Sequence, residues 1–102
     1  MIRTALKFIA RGCVRRSGKW AAVRRRHLTR QPACQWCGGT QDVEVHHIMP
    51  FHLHRELELE PRNLVTLCEH GDLDCHLRHG HLGNWRSFNP FILHDIRTHH
   101  AQ

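Results

Sequence analysis

VEVHHIMP, residues 43–50, decides the fold of this chain. Its alternation of apolar and polar residues and its β-branched side chains predict a short strand that ends at two adjacent histidines and stops at Pro50. Further on, NLVTLC at residues 63–68 predicts a second, buried strand. DCHLRHGHL at residues 74–82 then predicts a helix that runs to the Gly83-Asn84 turn. Residues 51–61, between the strands, contain alternating Leu and Glu that could form a strand, but their charges favour a solvent-exposed loop.

Two helices are predicted to flank these segments. Ser17 is the expected N-cap of the first, which ends before Pro32 and turns its arginines outward. Its core-facing stripe holds Trp20, Val23 and His27. After Pro90 a last helix is expected, with three residues available for packing: Phe91, Ile92 and Ile96.

Length and composition predict one small domain with bound metal, and the mixture of predicted strands and helices makes its class α+β. A chain of 102 residues has a limited core, and its five cysteines occur together with twelve histidines, which favours metal ligation in a reducing, cytoplasmic setting over disulfides. Cys13 is the expected odd thiol. The sequence has no apolar run of roughly twenty residues, so we expect a soluble, unexported protein without a membrane segment.

Positive charge is concentrated at the N-terminus. Residues 1–30 carry ten Lys/Arg and no acidic residue, whereas the rest carries five Lys/Arg and nine acids. Such a segment attracts phosphate backbones, although a solvated helix face is the alternative. The residues expected to bind DNA phosphates are Lys19, Arg24, Arg25 and Arg26. The three tryptophans are expected to pack in the core or on the loops that carry the cysteines: Trp20, Trp36 and Trp85.

The cysteines predict a structural zinc site. Cys34 and Cys37 form a C-x-x-C pair, and Cys68 and Cys75 follow downstream. Together the four residues can supply four thiolates to a tetrahedral zinc ion. Because six residues separate the second pair, His70 or Asp72 could instead replace one thiolate, and a site without metal stays open.

The adjacent histidines predict a catalytic centre. Successive side chains of a strand point to opposite sides, so one of His46 and His47 can bind metal while the other acts as a base. His76, at the start of the predicted helix, is placed to supply a second ligand.

From Trp20 to Trp85 the sequence resembles the HNH (ββα-metal) nuclease family, and in particular its small phage-type members. The resemblance rests on VHHI, NLVTLC, CHLRHGH and the cysteine framework. It implies a zinc-stapled ββα-metal core with flanking helices, in which His46 and His76 bind a divalent metal and His47 is the general base. It also implies that Asn63 braces the loop and orients His47.

The third metal ligand has two candidates. Many relatives place a histidine four residues after the first helical ligand, but that position here is Gly80. His79, at i+3, shares the face of His76 in a regular helix. His81, at i+5, is rotated by about 140° and requires the helix to break or tighten.

The expected function is metal-dependent hydrolysis of DNA phosphodiester bonds, with magnesium, manganese, nickel or zinc as the catalytic ion. Two alternatives are a non-catalytic, zinc-stapled DNA-binding module and a phage packaging or assembly subunit that contacts packaging proteins. The expected division is a basic segment over 1–16, the nuclease domain over 17–89 and a helical tail over 90–102. The sequence leaves DNA specificity and oligomeric state open.

Overall fold

The computed structural model describes residues 15–102. Residues 1–14, which include Cys13 and most of the basic N-terminal segment, lie outside the described residues. None of the helices in the described part of the chain combines the length and the apolar character of a bilayer-spanning segment.

A two-stranded antiparallel sheet forms the centre of the domain. Strand β1 (Val43–His47) pairs with β2 (Leu64–Cys68), with His46 opposite Val65 and His47 opposite Leu64. All five residues of β2 are buried, because other elements cover both of its faces. Both strand predictions, and the α+β class, are confirmed.

Helix α1 (Trp20–Arg30) packs on one side of the sheet. Directly after it, the side-chain oxygen of Gln31 accepts the backbone N–H of Thr66 at 2.8 Å, and the Gln31 carbonyl accepts the Thr66 hydroxyl at 2.7 Å. Lys19, and not Ser17, occupies the N-cap, since the Ser17 hydroxyl accepts the Lys19 N–H outside the helix. Of the predicted stripe only His27 is buried.

The other side of the sheet is covered by a π-helical turn (His76–Gly80) and by helix α2 (Ile92–Ala101). Ile92 and Ile96 enter the core with Val65 and Leu67. The packing role predicted for Phe91 is wrong, because this residue precedes the helix at its N-cap and is 68% exposed.

The loop between the strands is more buried than its charges suggest. It contains two short 3₁₀ turns, Arg55–Leu57 and Pro61–Asn63. Between them Glu58 is buried and its carboxylate accepts the Ser17 N–H at 3.1 Å, with Arg16 at 4.0 Å. The prediction of a solvent-exposed loop is therefore wrong at Glu58, because Arg16 and Ser17, which precede α1, contact its carboxylate.

Candidate metal centres and active-site cleft

Four cysteine sulfurs meet between the loop after α1, the end of β2 and the start of the π turn. The Sγ atoms of Cys34, Cys37, Cys68 and Cys75 all lie within 4.8 Å of one another, and three of the four residues are buried. The Cys37 N–H points to the Cys34 sulfur at 3.5 Å. We call this group the cysteine cluster.

The cysteine cluster fits a structural zinc ion. Burial raises the pKa of the Cys75 thiol, and the neighbouring Cys34 sulfur adds to this effect, so that closely spaced thiolates need a cation to offset their charge. Four soft sulfur donors at these separations suit zinc. The two alternative ligands are not members of this group: His70 lies beside it but contacts the Asp42 carboxylate at 3.1 Å, and Asp72 is exposed.

Three histidine rings form a second group, which we call the histidine cluster. The donor nitrogens of His46, His76 and His81 lie within 4.8 Å of one another. His46 is 2% exposed, and in the described part of the chain its Nε2 is a buried nitrogen that has no hydrogen-bond partner. Burial, followed by the charges of His76 and His81, lowers its pKa to about 3. A neutral ring with an unpartnered nitrogen beside two further imidazoles fits a divalent metal ion.

The π turn brings His81 to the face of His76. The His81 N–H donates to the His76 carbonyl at 3.0 Å, a bond that spans five residues instead of four. The helix therefore widens at this point, and the expectation that it would break or tighten is wrong. With one extra residue in the turn, position i+5 returns to the face of position i.

Gly80 is needed because the backbone passes against the His46 ring. A Cβ at this position would lie 3.0 Å from Leu67 Cδ1 and 3.2 Å from both Cε1 and Nε2 of His46. The fourth position after His76 is thus filled here by the backbone itself, and the histidine that joins His46 and His76 lies one residue further on.

His79, the alternative third ligand, lies outside the histidine cluster. Its ring stacks on Trp36 with centroids 3.6 Å apart and planes 10° apart. His99 of α2 also stacks on Trp36, at 4.4 Å. The geometry thus separates the two candidates and groups His81, not His79, with His46 and His76.

Hydrogen bonds orient two rings of the histidine cluster. Nδ1 of His76 donates to the Glu69 carboxylate at 2.7 Å, and Nδ1 of His81 donates to the Ser87 carbonyl at 2.8 Å. In both rings Nε2 is left as the free donor atom for a metal. Sequence reasoning missed Glu69, whose signal was its place directly between β2 and the turn that leads to His76.

His47 is held in one tautomer beside this cluster. Its Nε2 donates to the Glu58 carbonyl at 2.9 Å, which leaves the lone pair on Nδ1. The Trp20 ring covers the imidazole at 4.6 Å between centroids. Burial lowers the His47 pKa; the bond to Glu58 opposes this shift and the charge of Arg16 adds to it. The ring is therefore neutral at pH 7 and can accept a proton.

Asn63 connects the end of β1 to the loop that carries Glu58. Its amide nitrogen donates to the carbonyls of Met49 at 3.1 Å and Leu57 at 3.2 Å, and its side-chain oxygen accepts the Met49 N–H at 2.8 Å. Asn63 is buried, so these bonds satisfy its amide within the protein.

His47 and the histidine cluster open into one cleft of about 350 Å³. None of the described residues that line it is acidic. Trp85 stands at its rim, 52% exposed, so the prediction that all three tryptophans serve packing is wrong for this one. The cleft walls include Arg16, Phe51, His52 and Trp85.

The residues predicted to bind phosphate are spread along α1. Arg25 and Arg26 are exposed and share a shallow surface with Thr29 and Arg30. Arg24 instead pairs with the Glu44 carboxylate at 3.4 Å, which offsets part of its charge. Lys19 is exposed at the start of the helix.

Residues 34–82 match the family model described as HNH endonuclease. The matched segment contains both strands, the cysteine cluster, the histidine cluster and His47. The match identifies this segment as an HNH domain, which supports a nuclease-type function in general terms. The comparisons with curated proteins and with solved structures gave no match.

Proposed function

We propose that this protein is a metal-dependent endonuclease that hydrolyses DNA phosphodiester bonds, with His47 as general base and the histidine cluster as the site of one divalent cation. The observation that carries the proposal is the shared cleft: three histidine donors within 4.8 Å of one another open into the same space as His47. The match of residues 34–82 to the HNH endonuclease family model supports the same reaction class.

In this mechanism Nδ1 of His47 takes a proton from the attacking water while the water oxygen forms a bond to phosphorus. The P–O3′ bond breaks, and the departing oxygen takes a proton from solvent, which leaves 5′-phosphate and 3′-hydroxyl ends. The Glu58 carbonyl keeps the proton on Nε2 and so reserves Nδ1 for the water. Asn63 fixes the adjoining loop. A bound divalent cation would stabilise the charge on the phosphoryl oxygens.

The remaining residues would serve affinity and structure. Lys19, Arg25 and Arg26 are exposed and would contact phosphates without reading sequence, with a smaller part for Arg24 because of its partner Glu44. The cysteine cluster would hold structural zinc. Imidazole ligands accept magnesium, manganese, nickel or zinc, so the working ion has to be measured. On resemblance alone, we propose phage DNA packaging as the biological setting.

Plasmid cleavage tests the proposal. The protein is stripped of loosely bound metal, supplied in turn with each of the four ions, and compared with His47→Ala and with the control His94→Ala, which changes an exposed histidine of α2. We expect metal-dependent nicking that falls about 100-fold or more in His47→Ala and is unchanged in the control.

Cleavage by His47→Ala at the wild-type rate would rule out His47 as the general base. Salt-sensitive DNA binding without cutting in any metal would favour the non-catalytic DNA-binding module instead.

A further inference from the structure

Trp85 presents an aromatic surface beside the candidate active site that the mechanism does not use. Its ring contacts His76 edge-on, with centroids 5.1 Å apart, and His81 at 4.8 Å, yet half of the side chain remains exposed in the cleft. What sets Trp85 apart from the other exposed apolar side chains is its place: its free face lies in the cleft beside the histidine cluster, where an aromatic ring can contact a ligand.

The loop that carries Trp85 is held by hydrogen bonds on both sides of it. The Asn84 N–H donates to the His81 carbonyl at 3.1 Å, and the Asn84 side-chain oxygen accepts the Arg86 N–H at 2.9 Å. The Ser87 N–H donates to the Asn84 carbonyl at 2.8 Å, and the Ser87 carbonyl accepts from the His81 ring. The indole is therefore preorganised, and a ligand that stacks on it loses little free energy to ordering the loop.

The other wall of the cleft indicates what kind of ligand would stack there. The Arg16 guanidinium, whose charge is partly offset by Glu58 at 4.0 Å, lies 4.4 Å from the centre of the Phe51 ring, and no described residue that lines the cleft carries a carboxylate. Positive charge combined with aromatic faces suits a phosphate chain whose bases are exposed. In an intact duplex each base stacks on its neighbours, so only an unpaired nucleotide offers its face to a side chain.

We propose that Trp85 is a stacking platform for an unpaired nucleobase next to the scissile phosphate. The substrate class would then be single-stranded DNA, or DNA with unpaired nucleotides at the cut, in preference to intact duplex. This inference rests on the proposed function in that the cleft has to be the nucleic-acid site.

Binding by fluorescence anisotropy tests it without any need for turnover. The probes are a labelled 12-nucleotide strand and the same strand in a duplex, measured without added divalent ions. Trp85→Ala should lose about tenfold in affinity for the single strand and less than about twofold for the duplex. Trp85→Phe should keep most of the single-strand affinity, and the control Phe91→Ala, which removes an exposed ring outside the cleft, should change neither.

An equal loss for both probes, or no loss for either, would overturn the inference. Cleavage separates this result from the proposed function. If Trp85 sets the strand preference in binding but no metal supports cutting, the stacking site stands and the nuclease proposal fails. If the protein cuts DNA through His47 while Trp85→Ala keeps the wild-type preference between single strand and duplex, the nuclease proposal stands and the stacking inference fails.

Discussion

The cysteine cluster and the histidine cluster differ in donor chemistry and in access to solvent. Three of the four cysteines are buried, whereas the histidines open into a cleft of about 350 Å³. A closed set of four thiolates is typical of a structural ion, and an open set of three imidazoles leaves room for a substrate oxygen. Because Cys75 and His76 are adjacent in the chain, an ion held by the cysteine cluster would also help to position His76.

The largest expected effect breaks the closed site. Cys68→Ser should lose zinc and cooperative unfolding, because the free energy of structural zinc binding, about 10–16 kcal/mol in small zinc domains, is comparable to the whole stability of a domain. Zinc content by mass spectrometry and thermal unfolding by circular dichroism measure this. His70→Ala, beside the cluster but paired with Asp42, should keep its zinc. A full zinc complement and a sharp transition in Cys68→Ser would contradict the structural role.

A smaller effect is expected where the open site touches the core. Gly80→Ala places a Cβ 3.0 Å from Leu67 Cδ1 and 3.2 Å from the His46 ring, so the free energy of unfolding should fall by about 1–3 kcal/mol. Urea unfolding measures it. In Gly18→Ala the new Cβ meets nothing within 4 Å, and this control should be neutral. Equal stability of the two variants would show that the backbone at Gly80 yields easily.

The smallest expected effect is a change in metal affinity at the histidine cluster that leaves the cysteine cluster unaffected. Glu69→Gln weakens the acceptor that orients His76, so the affinity of the histidine cluster for nickel should fall about tenfold while the zinc content stays unchanged. Isothermal titration calorimetry measures the affinity. Glu56→Gln, which changes an exposed carboxylate paired with His54, is the control. Unchanged nickel affinity in Glu69→Gln would mean that His76 needs no such support.

The sequence was sufficient for those parts of the fold that depend on neighbouring residues. Alternation in VEVHH and the apolar run LVTLC predicted both strands. The spacing of Cys34 and Cys37 predicted a metal knuckle, and the structure brings the second pair of thiols to it. Prediction from the sequence failed for Phe91 and Glu58. Their burial depends on segments distant in the chain, which cover Glu58 and leave Phe91 exposed.

The sequence by itself determined the two strands, the types of donor atom and the resemblance to the HNH family, because these follow from local pattern and residue chemistry. Only the tertiary structure grouped His81, and not His79, with His46. The hydrogen bond that spans five residues at the π turn brings the His81 ring toward His46, whereas the His79 ring stacks on Trp36. The tertiary structure likewise placed Glu69 on His76 and left Trp85 exposed at the cleft. Contacts of this kind depend on how separate segments pack, and a linear pattern does not encode that packing directly.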